Sequence, residues 1–232
     1  MRTTWRWPRD HDESDLIVSE MDEVIPALVA AVQEQHATGD HYRDDAIRQA
    51  MEHQAQLALR PGPVRVDVIV DPPWSDGQIN SVQVVTGDRP FLVDTVASCL
   101  LRHGWRVEDV RHPIIGVKRD RGTIEAVGMP GRGGCASESW IHIDATAPLG
   151  TDIGQAAEQL RDDLCACLDQ VVCATDDWGA MHEAMLRTAE LVSASSGPAD
   201  DRDSSRELLE WLADDHFMYL SYQEFCLLYT SD

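Results

Sequence analysis

Seven consecutive residues, Thr86, Gly87, Asp88, Arg89, Pro90, Phe91 and Leu92, carry the clearest chemical potential in this chain. A β-branched run, Ser81 to Val85, precedes them. Phe91, Leu92, Thr95, Val96, Cys99 and Leu100 follow at helical spacing. The seven residues therefore form a turn at a helix N-terminus. Backbone N–H groups there lack intrahelical acceptors and suit a carboxylate such as that of an amino acid. The same turn also reads as plain structure, with Asp88 as helix cap and Pro90 in the first helical turn. Thr86 to Leu92 are the effector-binding candidates, and both readings stay open on sequence alone.

Other reactive residues point to structure. Cys165 and Cys167, with Cys173, offer soft metal ligands, but positions two apart on a helix face different ways. No Cys-x-x-Cys or Cys/His quartet is present, so no metal site is expected. His112 and His142 fall in segments expected to be neighbouring strands, without a carboxylate or cysteine motif beside them. The aspartate pairs at 44–45, 162–163, 176–177, 200–201 and 214–215 sit at expected helix starts or exposed faces, where capping and solvation account for them. Gly131-Arg-Gly-Gly134 follows no apolar strand and opens no helix, and no Gly-x-Gly-x-x-Gly occurs, so no cofactor site is expected in this segment. No catalytic residue is assigned.

The elements that must position the turn follow from periodicity. Ile17, Met21, Val24, Ile25, Leu28, Val29 and Val32 form a helical stripe with Pro26 inside it, which means a kink or a helix that starts near Pro26. A second helix is expected over 42–59, stopped by Arg60-Pro-Gly-Pro63. Val64 to Val70 alternates as a strand, and Ser81 to Val85 is a second. Gly104 stands where a left-handed helix C-cap belongs. Residues 105–119 are extended, with Pro113 marking an edge or a bulge. A short strand over 123–127, a glycine-rich loop over 129–137 and a strand over 139–146 come next. A helix is expected over 152–168, an apolar strand over 170–174, a helix from Trp178 to Ser193, a linker-like loop over 195–203, a helix over 204–214 and a strand from Phe217 to Phe225. From Ser81 the order is strand, helix, strand, strand, helix, strand. That is the βαββαβ, ferredoxin-like pattern of an α+β domain, with two helices on one face of an antiparallel sheet.

The totals narrow the partners. The chain has 232 residues, of which 43% are hydrophobic, enough for a sizeable core. Its net charge of -22 disfavours nucleic acid and anionic membrane, both of which need positive patches. No run of about 18 apolar residues occurs, and the N-terminus lacks an apolar signal core. The six cysteines follow no extracellular framework spacing, which suits a reducing, cytoplasmic setting.

At this point several segments together resemble a known family. Thr86 to Asp94 resembles the strand-to-helix turn of ACT domains, which usually reads Asp-Arg-Pro-Gly-Leu; Phe91 stands here in the glycine's place. Pro90 to Val96, Arg111 to Asp120, Glu138 to Ile143, Asp177-Trp178 and Leu208 to Tyr222 resemble, in order, the N-terminal part of the large bacterial NAD-specific glutamate dehydrogenases. The resemblance implies an ACT-type regulatory domain that binds amino-acid effectors at the turn, often across a subunit interface. It also implies a homo-oligomer, and a whole protein that oxidises L-glutamate to 2-oxoglutarate with NAD in a domain far downstream. Such an enzyme needs a lysine or similar group at the amino-acid centre. The one lysine here, Lys118, falls in an exposed strand position, so this segment is expected to be inactive alone. The expected organisation is an N-terminal helical segment (1–62), an ACT-like domain (63–178), a helical connector (179–216) and the start of a second domain (217–232). Residues 226–232 depart from the family and are expected to be a non-native end of a truncated chain. The alternative from another class is a freestanding amino-acid sensor.

Overall fold

The computed structural model describes residues 25–31, 44–75, 77 and 79–223. Two compact units emerge, Met1–Leu168 and Asp169–Asp232. Residues 1–13, the upstream part of the stripe that begins at Ile17, and residues 226–232 lie outside the described residues.

The first unit is built on one antiparallel sheet. Its strands are β1 (Val64–Ile69), β2 (Asn80–Gly87), β3 (Arg106–Arg111), β4 (Ile114–Asp120), β5 (Thr123–Gly128) and β6 (Ala136–Thr146). The order across the sheet is β1-β2-β6-β4-β5, with β3 also pairing β6. β3 and β4 lie end to end along β6: Arg111 pairs with His142 and Ile114 with Ser139. The extended segment expected over 105–119 is thus one line of chain, interrupted at His112-Pro113 because proline cannot donate to a ladder.

Helices cover both faces of this sheet. Residues 25–31 (α1) and Asp44–Ala58 (α2) share a buried cluster with the sheet. Leu28, Met51, Ala55 and Leu57 meet Val85, Ile115, Val117 and Trp140 there. Strand side chains alternate between faces, so Val82, Val84, Ile141 and Ile143, all fully buried, point the other way. That face lies under α3 (Leu92–Arg102) and α4 (Ile153–Asp176), whose buried stripes are Leu92, Val96, Cys99, Leu100 and Ala157, Leu160, Leu164, Leu168. Each buried aliphatic side chain contributes about 1.5–3 kcal/mol. Glycine at 116 is forced by packing: a Cβ there would lie 2.4 Å from the carbonyl oxygen of Gly128.

Gly104 ends α3 as its sequence position predicts. Its φ is 76°, Gly104 N–H donates to the Leu101 carbonyl at 3.0 Å and Trp105 N–H to the Leu100 carbonyl at 2.9 Å. This is a Schellman closure, and it tucks Trp105 into the core.

Three expectations are corrected. The strand expected over 170–174 is helical, because α4 continues to Asp176. A five-residue apolar run suits strand or helix equally, and here it extends the stripe of Leu160, Leu164 and Leu168. The sheet position beside β2 is filled by β1, from the N-terminal side, and the described order is ββαββββα. The third correction concerns the second unit. Besides the end of α4, that unit holds α5 (Trp178–Ala194) and α6 (Ala199–Trp211), followed by a π-helical turn over Leu212–His216. α6 begins inside the expected linker because Pro198 sets its entry and Asp200 and Asp201 complement the dipole of its first turn. Residues 217–223, expected to begin a strand, form none and have no ladder partner among the described residues.

Candidate functional site

Thr86 and Gly87 end β2, paired with Ser139 and Glu138 of β6. The chain leaves the sheet at Asp88, whose N–H donates to the Ser137 carbonyl at 2.8 Å. Asp88 is not the helix cap. Its carboxylate faces back to the sheet and accepts a 2.6 Å hydrogen bond from the Ser139 hydroxyl. Pro90 is exposed and precedes the helix. The N-cap is Phe91, at φ 73°, in the left-handed region, and no side chain caps the helix. Its carbonyl accepts the first helical bond, from Thr95 N–H at 2.9 Å. Leu92, the first helical residue, is buried. Arg89 lies over Gly87, with Nη2 at 3.6 Å from where a Cβ would stand.

The left-handed φ explains the residue difference at this turn. Glycine adopts that conformation without cost, whereas an L-residue pays about 1–2 kcal/mol. Phe91 therefore carries strain at the position where ACT turns usually place glycine.

Ser139 and His112 join the site, and sequence reading missed both. His112 Nε2–H donates to the Ser139 hydroxyl at 2.9 Å, and that hydroxyl donates to Asp88. Burial holds the His112 pKa below its ordinary value, opposed by the Asp88 charge. Serine, histidine and aspartate in one cluster suggest acyl transfer, but the wiring is wrong for it. A nucleophilic serine gives its proton to histidine and the carboxylate orients that histidine. Here the serine bridges the other two, and Ser139 is fully buried. The only sequence signal was register: Thr86 opposite Ser139 requires the strand pairing to be known. Thr86 itself is buried, and its hydroxyl has no hydrogen-bond partner among the described residues. The first-turn amides of α3, six residues further on, also lack intrahelical acceptors.

The two histidines do not converge. His142 points to the α2 face, where Nε2–H donates to Asp144 at 3.0 Å and Nδ1 accepts from Gln83 Nε2 at 3.2 Å. Gln83 Nε2 also donates to the Ala50 carbonyl at 2.8 Å, and Gln83 Oε1 accepts from His53 Nδ1 at 2.8 Å. Arg111 pairs with Asp144. Burial, with the nearby Arg111 charge, depresses the His142 pKa against the pull of Asp144. This network is satisfied at each link and ties α2 to the sheet. Lys118 pairs with Glu125 at 2.9 Å on the β4–β5 hairpin, half exposed. No group of three or more potential metal ligands occurs among the described residues. None of their helices is long and apolar enough to cross a membrane.

Residues 27–164 match the family model described as glutamate dehydrogenase, ACT1 domain. The chain belongs to that family. It is 27% identical over 159 residues to the NAD-specific glutamate dehydrogenase of Pseudomonas aeruginosa, covering 66% of this chain and 10% of that protein. It is 29% identical over 151 residues to that of Halomonas elongata, covering 62% of this chain and 9% of that protein. The chain thus spans about a tenth of the length of the curated relatives it matches. The ACT1 match begins within α1, takes in α2, the whole sheet and α3, and ends within α4. The turn from Thr86 to Leu92 sits inside it.

Proposed function

We propose that this chain is the ACT1 portion of an NAD-specific glutamate dehydrogenase and serves its assembly and regulation, with glutamate oxidation by NAD carried out elsewhere in the whole protein. The observation that carries this reading is the ACT1 match over residues 27–164. Two features of the fold support it. The one lysine, Lys118, is ion-paired with Glu125 on an exposed hairpin. The outer edges of β1 and β5 present ladder groups that can pair with a second copy of the domain in a homo-oligomer. Sedimentation velocity of the purified chain tests the assembly role. Reversible self-association is expected, and a strict monomer at high concentration counts against it.

A second reading, an amino-acid effector site or a freestanding sensor, rests on the Thr86 hydroxyl, buried without a hydrogen-bond partner among the described residues, and on the first turn of α3, which no side chain caps. An amino-acid carboxylate would take both the hydroxyl and the free amides. Calorimetric titration with amino acids decides it. Saturable binding lost in Thr86→Val supports an effector site. Heats of dilution alone, for every amino acid tried, leave the turn a structural joint.

A further inference from the structure

Two cysteines from different helices share one arginine where α3 and α4 meet. Arg102 Nη2 donates to Cys167 Sγ at 3.2 Å and approaches Cys99 Sγ at 3.6 Å. Both sulfurs therefore lie against a single nitrogen, one from each helix. They are free thiols. Their surroundings differ. Cys99 is buried on the apolar stripe of α3. Cys167 is half-buried at the rim, beneath an exposed guanidinium. A second tie, His103 Nε2 to Asp163 Oδ2 at 2.7 Å, holds the same two helices together one turn away.

We propose that Cys167 and Cys99 form a peroxide-sensitive dithiol, with Cys167 as the reacting sulfur and Cys99 as the resolving one. The reactive species is a thiolate, and Arg102 sets a permanent positive charge against it. Cys167, being the accessible sulfur, attacks a hydroperoxide; the O–O bond breaks, water or an alcohol leaves, and a sulfenic acid remains. The Cys99 sulfur then attacks the Cys167 sulfur. An S–S bond forms, the S–O bond breaks and a second water departs. Two thiols are oxidised by two electrons and one peroxide is reduced. Burial pushes the Cys99 thiol up, and its proton leaves with the displaced hydroxyl as that second water. The product is a covalent clamp between α3, the helix that the Thr86–Leu92 turn opens, and α4.

The test is hydrogen peroxide treatment of the purified full chain, followed by non-reducing peptide mapping. The expected result is a cross-linked peptide pair joining Cys99 to Cys167, intramolecular, reversed by dithiothreitol and absent from Cys167→Ala. In Cys99→Ala the reaction should stop at a dimedone-trapped sulfenic acid on Cys167. Arg102→Met, at an exposed position, should slow formation of the cross-link without changing its identity. Peroxide leaving both thiols free, a cross-link drawn from Cys165 or Cys173, or only intermolecular dimers would overturn the proposal. The wild-type map decides the matter even if a cysteine variant fails to fold.

Discussion

The two faces of the sheet use the same strands and opposite chemistry. Under α3 and α4, Val82 pairs with Ile143 and Val84 with Ile141, and the face is apolar through its centre. Under α2, the alternate residues of the same strands are Ser81 with Asp144 and Gln83 with His142, closed by Val85 with Trp140. The apolar face packs its helices through buried aliphatic side chains. The α2 face holds its helix through directed bonds: Gln54 Nε2 donates to the Ile141 carbonyl at 2.9 Å, and Gln83 reaches the Ala50 carbonyl. Apolar burial tolerates sliding between states, whereas a satisfied polar network fixes one placement and becomes costly when half-broken.

That contrast yields predictions of decreasing size, each read by chemical denaturation. On the apolar face, Ile143→Ala leaves a cavity in a fully buried position and should cost about 4 kcal/mol. On the α2 face, Arg111→Met leaves Asp144 buried without its cation and should cost about 3 kcal/mol. Adding Asp144→Leu to that variant should restore part of the loss, since both charges are then gone. Additive losses in this cycle would show that the pair is not coupled.

The α2 face should also carry pH dependence. The folded pKa of His142 lies below its unfolded value, so the unfolded state binds a proton more readily. Stability is then full above about pH 6.5 and falls as pH drops below it. His112 acts in the same direction from the other side of the sheet. His142→Gln should flatten part of the slope between about pH 6.5 and 5, whereas Ile143→Ala should lower the whole curve and keep its shape. An unchanged slope in His142→Gln would mean that His142 binds its proton equally well in the folded and unfolded states.

The smallest effect concerns the turn. At φ 73°, Phe91→Val should be about 1–2 kcal/mol less stable than Phe91→Gly, because a β-branched residue is poorly accommodated there. Equal stabilities would show that the turn can relax out of the left-handed region.

Legibility in the sequence followed the range of the interaction that decides each feature. The strand, the helix and its glycine stop from Ser81 to Gly104 were readable because periodicity and a left-handed glycine stop are local. The strand expected over 170–174 failed because five apolar residues carry no period of their own. Asp88 failed as a cap because its partner, Ser139, lies 51 residues away and competes for the carboxylate. The same distance hid Ser139 and His112 from the candidate site. The polar α2 face was invisible for a further reason: Gln83, His142 and Asp144 read as the outward half of alternating strands until α2 is known to cover them.

The most direct measurement is NADH formation by the purified chain with L-glutamate and NAD. A domain of assembly and control predicts no glutamate-dependent NADH above the enzyme-free rate. Measurable turnover by this chain alone would contradict that account and place dehydrogenase chemistry within these 232 residues.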